Sequence, residues 1–594
     1  MRILGVSCYF HDAAAAILDN GRLIAAAEEE RFSRVKHDFG FPRRAIAFCL
    51  ERAGMAGADL DYVAFFEKPF LKFERILQTS LQTAPRSHAV FRKAMTAWML
   101  DKLWIKSRIR DLIGVPPDRI LFVEHHQSHA ASAFYCSPFD EAAVLTIDGV
   151  GEWATATLGA GQGNRLSIDA EIRFPHSLGL LYSAFTAFLG FEVNEGEYKV
   201  MGMAPYGVPR YVDKVWKLLD VAADGAFALD LDYFSFHHSA TRTYSPKFEA
   251  LFGAPRKPET PFFTHTSGYP SYFGEKPGNY SDLAADNQHY ADIAASIQVV
   301  TEEIVIRMAR TACARAGTTR LCMAGGVALN SVANGRVLRE TPVTDLYVQP
   351  AAGDSGAALG AALFVHHQVL GAPRSFVMEH ASWGAAPDPD ETEAAARSSG
   401  LRYEAWDDDA PAIDRAVDML QSGKVLGWAQ GGFEWGPRAL GHRSILADPR
   451  QAAMKDVVNT KIKFREPYRP FAPSVIEDRA ADLFGLSDPA RHYPARFMLL
   501  VVPVLDGARE RLPAVTHVDG SARIQTVRAD TNPRYHRLIR TFGEATGVPV
   551  LMNTSFNLRG EPIVNTPAEA LSTFVRSGMD ALVIDRTIIY KDSE

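Results

Sequence analysis

The apolar positions at the start of the chain come in short bursts separated by turn residues. Arg2–Cys8 is rich in β-formers, and Asp12–Leu18 is a second apolar stretch. Asp19-Asn20-Gly21 divides it from a third, Arg22–Ala27. An Asn-Gly pair between two such runs predicts a tight hairpin. The layout returns about 140 residues later. There Ala142–Asp148 predicts a strand ending in a carboxylate, and Glu152–Leu158 and Leu166–Ile172 flank a glycine-rich turn. Two copies of one strand-and-hairpin arrangement predict a duplicated fold whose halves face each other. Between the copies, Phe73–Ile113 contains no glycine and predicts helix, broken at Ala84-Pro85. Its Trp98, Leu100, Leu103 and Trp104 recur at helical spacing and predict a packed amphipathic face.

Further on, Ile293–Ala316 predicts one long helix. Leu321–Ala324 predicts a strand entering Gly325-Gly326, with a helix from Leu329. Leu346–Val348 predicts another, entering Gly353-Asp354-Ser355-Gly356 and an alanine-rich helix. Glycine turns between strand and helix let a phosphate approach backbone N–H groups at a helix N-terminus. Pro387-Asp388-Pro389-Asp390 marks a boundary, followed by a second α/β region. Residues 225–290 are the least regular stretch, which in a compact domain signals a functional or mobile segment.

Composition narrows the classes. The chain has 594 residues, 47% hydrophobic and 22% charged, which matches globular proteins and excludes fibrous and disordered ones. Its length suggests about three to four structural units. With 63 Lys+Arg against 70 Asp+Glu, the net charge of −7 disfavours nucleic acid and anionic membranes as partners, unless a local patch is basic. No apolar run approaches the roughly 18 residues of a membrane span. The N-terminal MRILGVSCYFHD reads as a strand rather than a targeting segment. Five scattered cysteines without a CxxC pair predict reduced thiols, a cytoplasmic location and no zinc ribbon.

Three groups of residues carry candidate chemistry. His125 and His129 stand at i, i+4, on one face if the segment is helical. With Asp148 at a strand end and Asp354 in the GDSG turn they would form an N2O2 set suited to Fe(II), Mn(II) or Zn(II). Asp354 could instead, or as well, cap the following helix. His11, in His11-Asp12, is either a general base or a histidine tied to turn backbone. From Gly436 to Pro470 there are eight basic residues (Arg438, Arg443, Arg450, Lys455, Lys461, Lys463, Arg465, Arg469) against three acidic ones. Interleaved with Gly, Pro and aromatics, they suit phosphate or carboxylate ligands better than a solvated helix face. Asn553-Thr554-Ser555-Phe556-Asn557 offers hydroxyls and amides for the same ligands.

Eleven ordered motifs from Ile3 to Val564 resemble the nodulation-type O-carbamoyltransferase family, whose members carbamoylate hydroxyl groups of natural products. They include EERFSRVKHDFGFP, EHHQSHAASAF, TIDGVGEWATAT, AGGVALNSVANG, GDSGAALGAA, WGPRALGHRSILADPR, KFREPYRPFAPSV, THVDGSARIQTV and NTSFNLRGEPIV. The resemblance implies an α/β protein of two domains. Residues 1–380 would be a duplicated actin/hexokinase-like domain similar to the tRNA-threonylcarbamoylation protein TsaD. Residues 381–594 would be a YrdC-like α/β domain that makes carbamoyl-adenylate from ATP, with Mg(II), and carbamoyl phosphate. It implies His125, His129, Asp148 and Asp354 as ligands of a divalent metal, iron first, and His11, Lys463 and Arg469 as catalytic groups. Lys36, Gly325, Gly326, Asn330, Arg438, Arg443, Arg465, Arg523, Ser555 and Asn557 would bind substrate or nucleotide. The acceptor would be a small-molecule hydroxyl, with no nucleic acid or membrane partner; an oligomer is compatible with it. Thr260–Asn287 is longer and more aromatic than the family pattern and is a candidate shaper of the acceptor pocket. The competing readings are a tRNA threonylcarbamoyladenosine-type enzyme, which the acidic total charge disfavours, and a non-catalytic nucleotide-binding regulator.

Overall fold

The computed structural model describes residues 1–591 apart from 101, 271–272, 464 and 467. The chain divides into two compact units, one of Met1–Glu29 and Phe39–Met378, the other of Glu30–Asp38 and Glu379–Glu594.

The first unit is built on a repeat. Strands β1 (Arg2–Ser7), β2 (Ala14–Asp19), β3 (Arg22–Glu28), β4 (Tyr62–Phe65) and β5 (Ile120–Phe122) form a sheet in the order β3-β2-β1-β4-β5. β1 pairs antiparallel with β2, from Arg2↔Asp19 to Ser7↔Ala14, and parallel with β4. Asn20 and Gly21 turn the hairpin with φ of 50° and 79°, the paired left-handed conformation that Asn-Gly adopts most easily. The later strands are β6 (Glu141–Ile147), β7 (Ala154–Gln162) and β8 (Arg165–Arg173), the short pair β9 (Leu219–Val221) and β10 (Phe227–Leu229), then β11 (Arg320–Ala324) and β12 (Asp345–Val348). Five of them form the sheet β8-β7-β6-β11-β12, with the same order and the same sequence of antiparallel and parallel pairings as the first. The duplicated fold expected from the sequence is therefore present.

Elements between the strands differ in detail from expectation. The helical insertion between β4 and β5 runs Pro69–Gln82, His88–Leu100 and Ile105–Ile113, broken at the cis Ala84–Pro85 bond and at a 3₁₀ turn, Lys102–Trp104. Trp98 is buried, but Trp104 is 61% exposed and does not join the expected packed face. The tighter 3₁₀ turn rotates it off the stripe, and its indole N–H donates to the Met99 carbonyl. The long helix begins at Tyr280 rather than Ile293 and ends at Gly317, which takes the left-handed conformation (φ 68°). Gly326–Leu329 is a 3₁₀ turn, and the helix after it starts at Ser331 under an Asn330 cap. In the aromatic stretch, Phe262 and Phe263 are buried, Phe263 stacks on Tyr280 at 5.4 Å, and Lys276 lies over the same ring. Much of that segment thus packs on itself; residues 271 and 272 of it lie outside the described residues.

The second unit holds β13 (Tyr403–Ala405), β14 (Leu426–Ala429), β15 (Arg443–Ala447), β16 (Ala472–Ile476), β17 (Leu500–Pro503), β18 (Ser521–Val527), β19 (Val550–Ser555), β20 (Ala581–Ile584) and β21 (Thr587–Tyr590). They form one mixed nine-stranded sheet in the order β13-β21-β20-β14-β15-β19-β16-β18-β17. The helices Asp409–Gln421 and Pro533–Thr546 cover it through Ile413, Leu420, Leu538 and Phe542, packed around Trp428. Glu30–Asp38 is tied into this unit, although a single cut near residue 380 leaves it with the other. Arg31 donates to the Gly436 carbonyl at 2.8 Å, and Arg34 to the carbonyls of Ile563 at 2.7 Å and Pro562 at 3.0 Å. Among the described residues no helix is long and apolar enough to cross a membrane.

Candidate functional site

In the first unit, His125 and His129 lie on the helix His125–Phe134, which follows β5 directly. The Glu152 carboxylate fixes its start by accepting the His125 backbone N–H at 3.0 Å. Asp148 follows β6. Its Oδ1 accepts the Gly326 N–H at 2.8 Å, which leaves Oδ2 at 3.0 Å from His125 Nε2. Asp354 opens the helix Asp354–Phe364, behind Gly353 as the cap residue, and its Oδ1 stands 3.6 Å from His125 Nε2 and 3.5 Å from His129 Nε2. The two Nε2 atoms are 3.0 Å apart, and all four side chains are buried.

This donor set fits a divalent cation. Metal–ligand bonds of about 2.1 Å place neighbouring donors roughly 3.0 Å apart in octahedral and 3.4 Å apart in tetrahedral geometry, and the observed separations run from 3.0 to 3.8 Å. Asp354 Oδ2 is buried without a hydrogen-bond partner, as a carboxylate facing an ion would be. Burial alone would raise the Asp148 carboxyl, but hydrogen bonds from His125 and His129 hold it well below the carboxylate range. Burial likewise opposes charge on His129, yet Asp148 and Asp354 push it up to about 9. Neighbouring His126 is driven well below the usual histidine value, first by burial, and bonds Thr146 at 2.6 Å as a neutral ring.

His11 stands in the loop after β1, with Nδ1 2.7 Å from Asp12 Oδ2 and Nε2 3.0 Å from the Asn194 carbonyl. Burial works against its charge, but the Asp12 hydrogen bond and charge prevail and raise it to about 9. Gly325 and Gly326 are already engaged: the Gly325 N–H bonds Ala352 O and that of Gly326 bonds Asp148. A Cβ at Gly325, where φ is 92°, would lie 2.3 Å from the Ile147 carbonyl oxygen. Asn330 accepts the Ala333 N–H at 3.1 Å and pairs with Gln298. In this structure the two glycines brace the Asp148 corner and Asn330 caps the helix that follows.

The second unit gathers most of the basic residues singled out above. Lys463 is buried; its ammonium donates to the Ser555 carbonyl, and to the Asn557 carbonyl at 3.0 Å and side-chain oxygen at 2.9 Å. Burial, followed by Arg465 and Arg469, drives it well below the usual lysine value, with Lys36 adding to the effect. Arg523, on β18, is lowered likewise by burial and then by Arg438, Arg465 and Arg469. Its Nε is buried with no hydrogen-bond partner. Such crowding of like charges is unfavourable until an anion is supplied. Arg465 is held by Asn459 at 3.0 Å and lies 4.2 Å over the Phe471 ring.

Arg443 stands apart from this group. Its guanidinium donates to the carbonyls of Asn565, Gln430, Gly431, His442 and Ala385. With its donors spent on backbone, it staples loops together instead of facing a phosphate. Sequence reasoning also missed a buried polar relay. Ser474 bonds Gln525 at 2.6 Å, Asn553 bonds Gln525 at 2.9 Å, and Gln525 donates to the Leu440 carbonyl at 2.8 Å. The relay pins the Arg438 loop to the strands bearing Arg523 and Ser555. Polar residues at buried strand positions were its only sequence signal. A small cleft adjoins it, lined by Leu440, Gln525, Glu434 and Asn532 among others.

Comparison with known proteins bears on both units. Residues 2–363 match the model described as carbamoyltransferase N-terminus, and residues 417–591 the carbamoyltransferase C-terminus. The chain belongs to the carbamoyltransferase family. It is 47% identical to an uncharacterized protein of Synechocystis sp., covering 100% of this chain and 97% of that one. It is 39% identical to the nodulation protein NolNO of Sinorhizobium fredii, covering 98% and 79%. A 3'-hydroxymethylcephem-O-carbamoyltransferase of Streptomyces clavuligerus is 36% identical over 42% of this chain and 44% of its own. Carbamoyltransferase activity follows for this enzyme.

Proposed function

We propose that the enzyme makes carbamoyl-adenylate in its second unit and transfers the carbamoyl group to an acceptor hydroxyl in its first. Carbamoyl phosphate gives up phosphate to water, leaving carbamate. A carbamate oxygen then attacks the α-phosphorus of Mg(II)-bound ATP and pyrophosphate departs. The observation that carries this reading is the Lys463 ammonium clamped by Ser555 and Asn557 beside Arg465, Arg469 and Arg523. The arrangement supplies preorganised positive charge where a pentacoordinate phosphate develops negative charge, and such electrostatic stabilisation is commonly the largest catalytic term. Arg438 and Lys36 add to the phosphate-binding field, and YrdC-like chemistry agrees with the resemblance of Lys463-x-Arg465 and Ser555-x-Asn557 to the KxR and SxN patterns of YrdC-like domains.

In the first unit the acceptor hydroxyl loses its proton to His11 and attacks the carbamoyl carbon; the C–O bond to AMP breaks and AMP leaves. Asp12 raises the basicity of His11 and holds its ring. The Nε2–H bond to Asn194 must give way before the acceptor hydroxyl can take its place. His125, His129, Asp148 and Asp354 would hold the metal, Fe(II) by donor type and Mn(II) or Zn(II) as substitutes. When bound, it supplies a Lewis acid for a phosphate or carbonyl oxygen. The acceptor is a hydroxyl-bearing natural product. The five buried free thiols suit a cytoplasmic setting. The test is pyrophosphate release from ATP and carbamoyl phosphate without acceptor. Release that is lost in Lys463→Ala supports the adenylating step, and release that persists in the variant refutes the assignment.

A further inference from the structure

Arg75 lies on the helix Pro69–Gln82, which leaves the carboxyl end of β4, and is only 7% exposed. Its Nη1 is buried with no hydrogen-bond partner. A buried guanidinium nitrogen that lacks a hydrogen-bond partner is costly, so proteins seldom keep one. The nearby carboxylates are committed elsewhere. Glu67 pairs with Lys72, itself buried, and Glu152 accepts the backbone N–H groups of Lys68 and His125. Desolvation lowers Arg75 to about 10, with Glu67 and Glu152 only partly opposing it. The guanidinium sits 5.0 Å from the Phe174 ring centre, and Lys72 lies over the Phe10 ring, which is 40% exposed. Lys72 against Phe10, which follows β1, and Arg75 against Phe174, which follows β8, set two cations on aromatic walls along the helix that leaves the carboxyl end of β4, the end at which open α/β sheets bind ligands. Through Glu152, Arg75 is one side chain removed from the backbone of His125.

We infer that Arg75 is an acceptor-recognition residue whose guanidinium binds an anionic group, a carboxylate or a phosphate monoester, beside the hydroxyl that receives the carbamoyl group. This rests on the first unit being the transfer site. An arginine fork matches either anion with two parallel hydrogen bonds, and the rings beneath favour an apolar or planar body next to the charge. Lys72, bound to Glu67, supports the field without being freed.

The test is calorimetric titration of the full enzyme with benzoate, phenyl phosphate and neutral benzamide, with no ATP present. For wild type, at least one of the two anions should bind far more tightly than benzamide, and which one does identifies the group. Arg75→Met should weaken that anion at least tenfold. Because it removes a buried cation with an unsatisfied nitrogen, its melting temperature should equal or exceed that of wild type. Arg75→Lys, which keeps charge but loses the fork, should show intermediate anion binding and guards against a variant that does not fold. Anion binding unchanged in both variants, no anion preference in wild type, or a melting point several degrees lower in Arg75→Met would each overturn the inference. Binding is read without turnover, so anion recognition that survives a failure of carbamoyl transfer would leave this site standing and refute only the functional reading.

Discussion

Gly360→Ala should disrupt the proposed four-residue metal site without touching any of the four side chains. Gly360 lies where the Asp354–Phe364 helix crosses the His125–Phe134 helix, and a Cβ there would sit 1.8 Å from the Ser128 carbonyl oxygen and 2.9 Å from Ser132 Cβ. Real Cβ contacts stop at 3.0 Å, so relief requires the helices to part by about 1.2 Å. Ser128 occupies the turn between His125 and His129, and the displaced helix carries Asp354. Its oxygen, now 3.5 and 3.6 Å from the two imidazole nitrogens, would move well outside the roughly 0.2 Å tolerance of a metal site. Overpacking of this kind costs about 1–3 kcal/mol of stability, and we expect Fe(II) affinity to fall by about 100-fold or more, the upper end of losses from supporting-shell changes. The assay is anaerobic Fe(II) titration of apoprotein against a competing chelator, paired with thermal unfolding. Gly353→Ala, at the cap of the same helix but with nothing within 4 Å of the added Cβ, is the control and should bind as wild type. Unchanged affinity in Gly360→Ala would refute the claim that the close crossing of these helices sets the donor geometry.

Other outcomes follow from the same contacts. The raised His11 stabilises the fold fully below its unfolded value near 6.5, and this contribution is lost as pH rises through about 9. Wild type should therefore lose up to about 3 kcal/mol more than His11→Asn across that window in urea unfolding. As a base His11 must be neutral, so the transfer rate should climb with pH until about 9; a flat profile would rule that role out. Arg443→Met strands five backbone carbonyls and should cost about 3–5 kcal/mol in urea unfolding. If Arg443 instead served mainly to bind phosphate, stability would hold and the ATP requirement would rise.

The duplicated half was legible because its signals are local. Bursts of β-formers around Asn20-Gly21 and the HxxxH spacing need only short-range geometry to be interpreted. Lys463, Ser555 and Asn557 were legible by motif, and the fold brings them within hydrogen-bond reach. What stayed hidden depends on long-range partners. Glu30–Asp38 looks like any charged turn until Arg31 and Arg34 are seen bonding carbonyls more than 400 residues away. Arg438 and Arg443 look alike in GPRALGHR; only burial and five carbonyl partners separate the staple from the residue proposed to bind phosphate. Trp104 followed the helical count but not the 3₁₀ turn that interrupts it, and Arg75 reads as one more helix cation until the burial of its unsatisfied Nη1 is known.

The most direct test of the two-step account is the identity of the nucleotide product. Wild-type enzyme with ATP and carbamoyl phosphate, lacking acceptor, should be quenched and its nucleotides resolved by chromatography. The account predicts carbamoyl-adenylate, with AMP from its hydrolysis, and an equal amount of pyrophosphate. ADP with no pyrophosphate would show attack at the γ-phosphorus and contradict it.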